Sequence, residues 1–81
     1  MDEKDILGSI RDFVEEERAL REKHAHGEPS DPDDRRRLRE LEVALDQCWD
    51  LLRQRRARRG AGQDPDEAQI RPADQVENYR Q

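Results

Sequence analysis

Five arginines in the second half of the chain carry its strongest chemical character. They fill five of seven consecutive positions: Arg53, Arg55, Arg56, Arg58 and Arg59. Guanidinium groups bind phosphates in pairs of hydrogen bonds, so the cluster could contact an anion, a nucleic acid or a protein partner. On a helix, however, these side chains would point around nearly the whole circumference, and cations stabilise the C-terminal end of a helix. We therefore favour stabilisation of a helix end as the role of this cluster. A nucleic-acid-associated regulator is our second hypothesis for the function of the protein.

Glu17 and His24 are candidates for metal binding or for an acid–base pair. They stand one heptad apart and would share one helix face, so that two chains could supply four ligands. The Glu-x-x-His pattern of di-iron bundles is absent. We favour a structural role in which Glu17 pairs with Arg21, one helical turn later, or with an arginine of another chain. A metal-binding helical bundle is our third hypothesis.

Cys48 and Trp49 complete the set of side chains that could do chemistry. A reactive thiol needs exposure and a lowered pKa, so we predict that Cys48 is a small core residue. Trp49 is predicted to anchor a dimer contact. No serine, histidine and acid arrangement and no glycine-rich phosphate loop occurs in the sequence. We expect no enzyme activity, no cofactor and no resident metal.

The composition narrows the class of protein. The chain has 81 residues and a net charge of −5, with 31% hydrophobic and 46% charged residues. A domain this small buries little surface, so association with other chains is expected. No apolar run approaches the roughly 20 residues of a membrane span, and the acidic first residues are unlike a signal peptide. We expect a cytoplasmic protein with no membrane contact and one reduced thiol.

Two stretches have the apolar spacing of amphipathic helices. The first predicts a helix from about Asp2, its N-cap, to His24. The second predicts a helix from about Asp33 to Arg59, capped by Ser30 or Asp31 and ended by Gly60. A short connection through Gly27, Pro29 and Pro32 favours an antiparallel hairpin, residues 1–59. The acidic start of the first helix, Asp2, Glu3 and Asp5, would then lie beside Arg55 and Arg59.

The apolar face of the second helix is wide. With Ala44, Trp49 and Leu51 included it spreads over about 160°, more than one partner helix covers. We therefore predict a homodimer or higher homo-oligomer, most simply two hairpins in a four-helix bundle. The predicted core is Ile6, Ile10, Phe13, Leu20, Leu41, Leu45, Cys48, Trp49 and Leu52. The leading functional hypothesis is a small homo-oligomerisation or protein-interaction module, with an unidentified protein partner left open.

The composition changes at Gly60. Glycine and proline punctuate residues 60–81 and large apolar side chains are sparse, which predicts a flexible or loosely docked C-terminal tail. Pro72 could begin a short last helix that presents Val76 and Tyr79 on one side.

Residues 45–59, LDQCWDLLRQRRARR, resemble the signature of a short actinobacterial family of unknown function. The opening residues 1–6 and the tail pieces 64–67 and 71–72 also resemble it, so that the match extends over nearly the whole chain. The resemblance implies a bacterial cytoplasmic protein. It supplies no activity, ligand or site residue.

Overall fold

The protein is described by a computed structural model for residues 2–25 and 31–78. Three helices and one 3-10 turn occur in these ranges: α1 (Glu3–Ala25), α2 (Pro32–Gly60), the turn (Pro65–Glu67) and α3 (Ala73–Asn78). No strand occurs in either range. The all-α prediction is confirmed, and both long helices begin and end within one residue of the predicted limits. The connection at 26–30 lies outside the described residues.

Short acidic side chains start both long helices. The Asp5 N–H donates to Asp2 Oδ1 at 2.9 Å, and the Asp2 N–H donates back to Asp5 Oδ2 at 3.3 Å. Asp31 caps α2 by accepting a hydrogen bond from the Asp33 N–H at 2.9 Å. Each contact satisfies an amide that the helix itself leaves without a partner. Ser30, the other predicted cap, lies outside the described residues.

The end of α2 differs from the prediction. The helix continues through Gly60, and the residue with a positive φ is Gly62, at 74°. The Gly62 N–H donates to the Arg59 carbonyl at 3.2 Å and the Gln63 N–H to the Arg58 carbonyl at 2.7 Å. These two bonds form a Schellman motif, which needs its left-handed residue one position after the C-cap. Gly62 meets that requirement, so the glycine that caps the helix is Gly62 and not the predicted Gly60, although α2 itself ends at Gly60, one residue beyond the predicted limit.

The two long helices form an antiparallel hairpin. At one end Arg56 Nε donates to Glu3 Oε1 at 2.9 Å, and at the other end Lys23 Nζ lies 3.0 Å from Asp34 Oδ2. A cluster of buried apolar side chains lies between these ends: Ile6, Ile10, Leu51 and Leu52, with Leu45, Cys48 and Ala68 packed against it. Leu41 is also fully buried. The hairpin thus buries one narrow stripe of each helix.

The C-terminal segment folds back along α2. The Gln54 side-chain amide donates to the Gln69 carbonyl at 2.8 Å, and that of Gln47 donates to the Arg71 carbonyl at 3.1 Å. Val76 of α3 is only 3% exposed. The tail therefore covers the Leu51 side of α2, so a second chain is not required on that side of the wide apolar face. Tyr79 lies outside the described residues.

The molecule is long and flat. Its radius of gyration is 15.2 Å and its extents are 51 × 26 × 16 Å. A compact chain of this length has a radius of gyration of about 12 Å. The accessible surface is 5917 Å², whereas a compact monomer of this mass exposes about 5,100 Å². A hairpin one helix thick thus keeps a broad side exposed.

Candidate functional site

The arginine cluster at the end of α2 is largely neutralised within the chain. Four of its members lie near carboxylates: Arg55 at 2.9 Å from Asp66, Arg56 at 2.9 Å from Glu3, Arg58 at 3.6 Å from Glu67 and Arg59 at 3.8 Å from Glu3. The hydrogen bond from Arg56 holds the pKa of the Glu3 carboxyl below its ordinary value. A nucleic-acid groove needs cations that remain available to phosphates, and intrachain pairing reduces that supply.

Arg55 is the buried member of the cluster, with only 6% of its surface exposed. Its Nη1 donates to the Pro65 carbonyl at 3.1 Å and to Asp66 Oδ1 at 2.9 Å. We expected Arg55 to pair with the acidic start of α1. Its close ion pair is with Asp66 of the tail turn instead, although the charge of Arg55 still lowers the pKa of Asp2 and of Glu3 at longer range. The expected pairing of Arg59 with Glu3 does occur.

Asp50 is a buried acid that sequence reasoning missed. It is 3% exposed, and its Oδ2 accepts a hydrogen bond from Gln54 at 2.9 Å and lies 3.3 Å from Arg71 Nε. It points away from the α1-facing stripe, half a turn from Leu41, so the helix pattern alone marks it as solvated. Only the docked tail covers it, and the sequence does not indicate which residues of α2 the tail contacts.

Glu17 and His24 take separate partners. Glu17 Oε1 lies 3.7 Å from Arg21 Nε, the predicted one-turn pair, and His24 Nε2 lies 3.8 Å from Asp34 Oδ2. Over residues 2–25 and 31–78, no three side chains of metal-binding type converge. The His24 contact joins α1 to α2, whereas the Glu17 pair lies within α1.

Cys48 lies half-buried against the core cluster. Burial raises the pKa of its thiol, because the charged thiolate loses hydration. The fraction of reactive thiolate at neutral pH is therefore lower than for an exposed cysteine.

The nine residues predicted to form the core divide into three groups. Four are buried in the single chain: Ile6, Ile10, Leu41 and Leu52. Four are half-buried: Phe13, Leu20, Leu45 and Cys48. Trp49 is 43% exposed. The hairpin therefore leaves the largest predicted anchor on its surface.

Two apolar side chains of α1 are exposed to about the same extent as Trp49. Leu7 is 42% exposed and Val14 is 39% exposed. At 100° per residue, Leu7 and Val14 lie about 90° around α1 from its buried stripe, and Trp49 lies about 80° around α2 from Leu41. In an antiparallel pair, equal rotations in the same sense point to the same side. We call this side of the hairpin, with Leu7, Val14 and Trp49, the open face.

The tail occupies the opposite side. Leu51 lies about 80° around α2 in the other sense, and it is there that the tail packs. The pairs Glu3–Arg56 and Glu16–Arg37 set the helix register and place Trp49 close to the level of Leu7. The open face is therefore a separate surface from the one the tail covers.

Charged side chains border the open face. Leu7 shares a shallow groove with Lys4, Gly8 and Arg11. Val14 shares another, with Arg18 among its lining residues. An apolar patch with a charged rim is the usual composition of a protein–protein contact.

Comparison with known proteins places the chain in a family. The family model described as "Protein of unknown function (DUF2630)" matches residues 2–81. The chain belongs to this family. An uncharacterised protein of Mycobacterium bovis and those of two Mycobacterium tuberculosis strains are each 56% identical to it over 77 residues, covering 95% of this chain and 88% of the relative. No solved structure matches it.

In this DUF2630 chain, the segment 45–59 that carries the family resemblance contributes to two contacts and to the open face. Leu45 and Leu52 pack toward α1, Asp50 and Arg55 hold the tail, and Trp49 lies on the open face. Within the described ranges, no helix combines the length and the apolar character that crossing a bilayer requires.

Proposed function

We propose that this protein is a small helical interaction module that self-associates, and that the open face is its contact surface. The observation that carries the proposal is the exposure of Leu7, Val14 and Trp49 on one side of a hairpin only one helix thick. Single exposed apolar residues are ordinary on protein surfaces. Three of them on the same side of a hairpin, bordered by charged side chains, are typical of a binding surface. On this proposal the chain acts by binding and not by catalysis.

The proposal includes a cytoplasmic location. The chain has one cysteine, Cys48, and its thiol packs against the core. A lone unpaired thiol suits a reducing compartment.

Self-association is tested by light scattering over a wide range of protein concentration. The mass should rise from one chain toward two. Val14→Glu should hold the protein as a monomer, because dimerisation would then bury a charge. Ile70→Glu is the matched control, since Ile70 is an exposed apolar residue of the tail, at 59%. A wild-type mass of one chain at every concentration contradicts the proposal.

Trp49 supplies an independent readout, because it is the sole tryptophan. Its emission should shift to shorter wavelength as concentration rises and the indole loses water contact. The shift should disappear in Val14→Glu and persist in Ile70→Glu. Emission that does not change with concentration while the mass doubles would place the contact on a different surface.

A further inference from the structure

We infer that two copies of this chain pair through their open faces so that α1 of each lies along α2 of the other. The inference rests on the proposed self-association and adds the arrangement of the chains. Such a contact is isologous, with a two-fold axis parallel to the helices, and it forms a four-helix bundle. The tails would lie on the two outer sides.

The available area suits a second copy. The open face is about 34 Å long, the length of α1, and about 18 Å wide, so pairing two faces would bury roughly 1,200 Å² in total. That is the lower limit for specific protein contacts. The chain also exposes about 800 Å² more than a compact monomer of its mass. A dimer that forms and dissociates with concentration is the expected result.

The charges on the two edges of the open face distinguish between the possible arrangements of the two copies. The α1 edge carries cations at heptad spacing, Lys4, Arg11 and Arg18, all exposed. The α2 edge carries Glu42, whose side chain is 54% exposed, between the exposed cations Arg35 and Arg53. A basic edge and an acidic position on the same face can pair only if α1 of one copy meets α2 of the other.

The positions of these residues along the long axis of the hairpin, which we call their level, agree with that pairing. Glu42 Oε1 lies 3.8 Å from Arg21 Nη2 in the same chain, which places Glu42 close to the level of Arg18 and Arg21. A two-fold axis parallel to the helices keeps every residue at its own level. Arg18 of one copy therefore faces Glu42 of the other, and symmetry repeats the contact.

The other simple arrangement opposes like charges. A two-fold axis running across the helices would stack α1 on α1, bringing the row of Lys4, Arg11 and Arg18 against its own copy. Like charges placed opposite each other across an interface weaken it. The positions of Arg18 and Glu42 thus favour the α1-on-α2 arrangement.

Charge reversal with mixing tests the arrangement. Arg18→Glu alone should weaken self-association about tenfold, because the introduced carboxylate then faces Glu42 in both contacts. Glu42→Arg alone should weaken it similarly, because two arginines then face each other. An equimolar mixture of the two variants should recover dimers, since both contacts of the mixed dimer pair an arginine with a glutamate and the two like-charged homodimers are disfavoured. The readouts are mass by light scattering and helicity on the same samples.

Matched controls and outcomes separate this inference from the proposed function. Arg36→Glu and Asp12→Arg reverse exposed charges on the opposite side of the hairpin and should leave the mass unchanged. If both single variants weaken the dimer but the mixture does not recover it, or if neither weakens it, the arrangement is overturned. If Val14→Glu still dissociates the dimer in that case, self-association through the open face stands. A wild-type chain that never dimerises overturns both.

Discussion

Arg71 Nε of the tail lies 3.3 Å from Asp50 Oδ2 of α2. The side chain of Asp50 in this ion pair is only 4% exposed. Gln54 donates a second hydrogen bond to the same oxygen at 2.9 Å. A buried carboxylate loses its hydration, and its partners must replace it. The pair therefore makes tail docking and the stability of α2 depend on each other.

Removing the cation should leave a buried charge without a counterion. Arg71→Met is expected to lower the free energy of unfolding by about 1–3 kcal/mol, measured by urea denaturation. In an Asp50→Asn background the same change should cost less than half as much, because no buried charge remains. Arg39→Met, at an exposed arginine of α2, is the control. Equal costs in the two backgrounds would show that Arg71 acts without Asp50.

Val76 is the side chain that α3 buries, with 3% of its surface exposed. Val76→Asp should release α3 from α2 while the hairpin stays helical, because a carboxylate would lose hydration at this contact. Amide hydrogen exchange at residues 73–78 should then accelerate. Gln75→Asp, an exposed neighbour in the same helix, should leave the exchange rate unchanged. Unaltered protection in Val76→Asp would mean that polar contacts alone hold the tail.

The helices could be predicted from the sequence because local rules govern them. Apolar spacing located α1 and α2, and the caps at Asp2 and Asp31 depend on residues within one turn. Pro72 correctly predicted the short last helix. Val76, an apolar residue of that helix, is buried. Each of these features needs only neighbouring residues.

Docking of the tail was one of two predicted alternatives, but its contacts on α2 could not be predicted, because they join distant residues. Asp50 and Arg55 look solvated or dipole-stabilising in a helical projection, yet both are covered by residues 64–76. We predicted that a second chain covers all of the α2 apolar face that α1 leaves open, but the tail covers the Leu51 side of it. Trp49 is exposed, which identifies its side of α2 as the part of the apolar face that the tail leaves uncovered.

Acid should destabilise the hairpin through Glu16. Arg37 donates two hydrogen bonds to its carboxylate, and this holds the pKa of Glu16 below its ordinary value of 4.5. The unfolded chain then binds more protons, so the stabilisation is present above about pH 4.5 and is lost as the pH falls through the lower folded pKa. The urea midpoint should fall across this range.

A substitution isolates the contribution of Glu16. Glu16→Gln should lower the urea midpoint near neutral pH and make its acid dependence shallower, because the group no longer titrates. Glu15→Gln, at the exposed adjacent position, should leave the slope as in the wild type. An acid dependence identical in Glu16→Gln and wild type would rule out the Glu16–Arg37 pair as its source.

Gly8 lies inside α1, where a Cβ atom would meet nothing within 4 Å. Glycine in a helix interior costs about 0.5–1 kcal/mol relative to alanine. Gly8→Ala should therefore raise the free energy of unfolding by about that amount in dilute samples, measured by urea denaturation. A loss of stability that appears only at high protein concentration would indicate that a second chain packs closely against Gly8.

Cys48 should react slowly with alkylating reagents in the folded protein. Burial raises the pKa of its thiol, so less thiolate is present at a given pH, and packing against the core cluster restricts access to the sulfur. Labelling by iodoacetamide near neutral pH should be at least about tenfold slower than in the same chain unfolded in urea. The unfolded chain is the matched control, since it presents the same single thiol. A folded protein that labels as fast as the unfolded chain would show that α2 opens around Cys48 faster than the reagent reacts, contrary to the packed position of this residue.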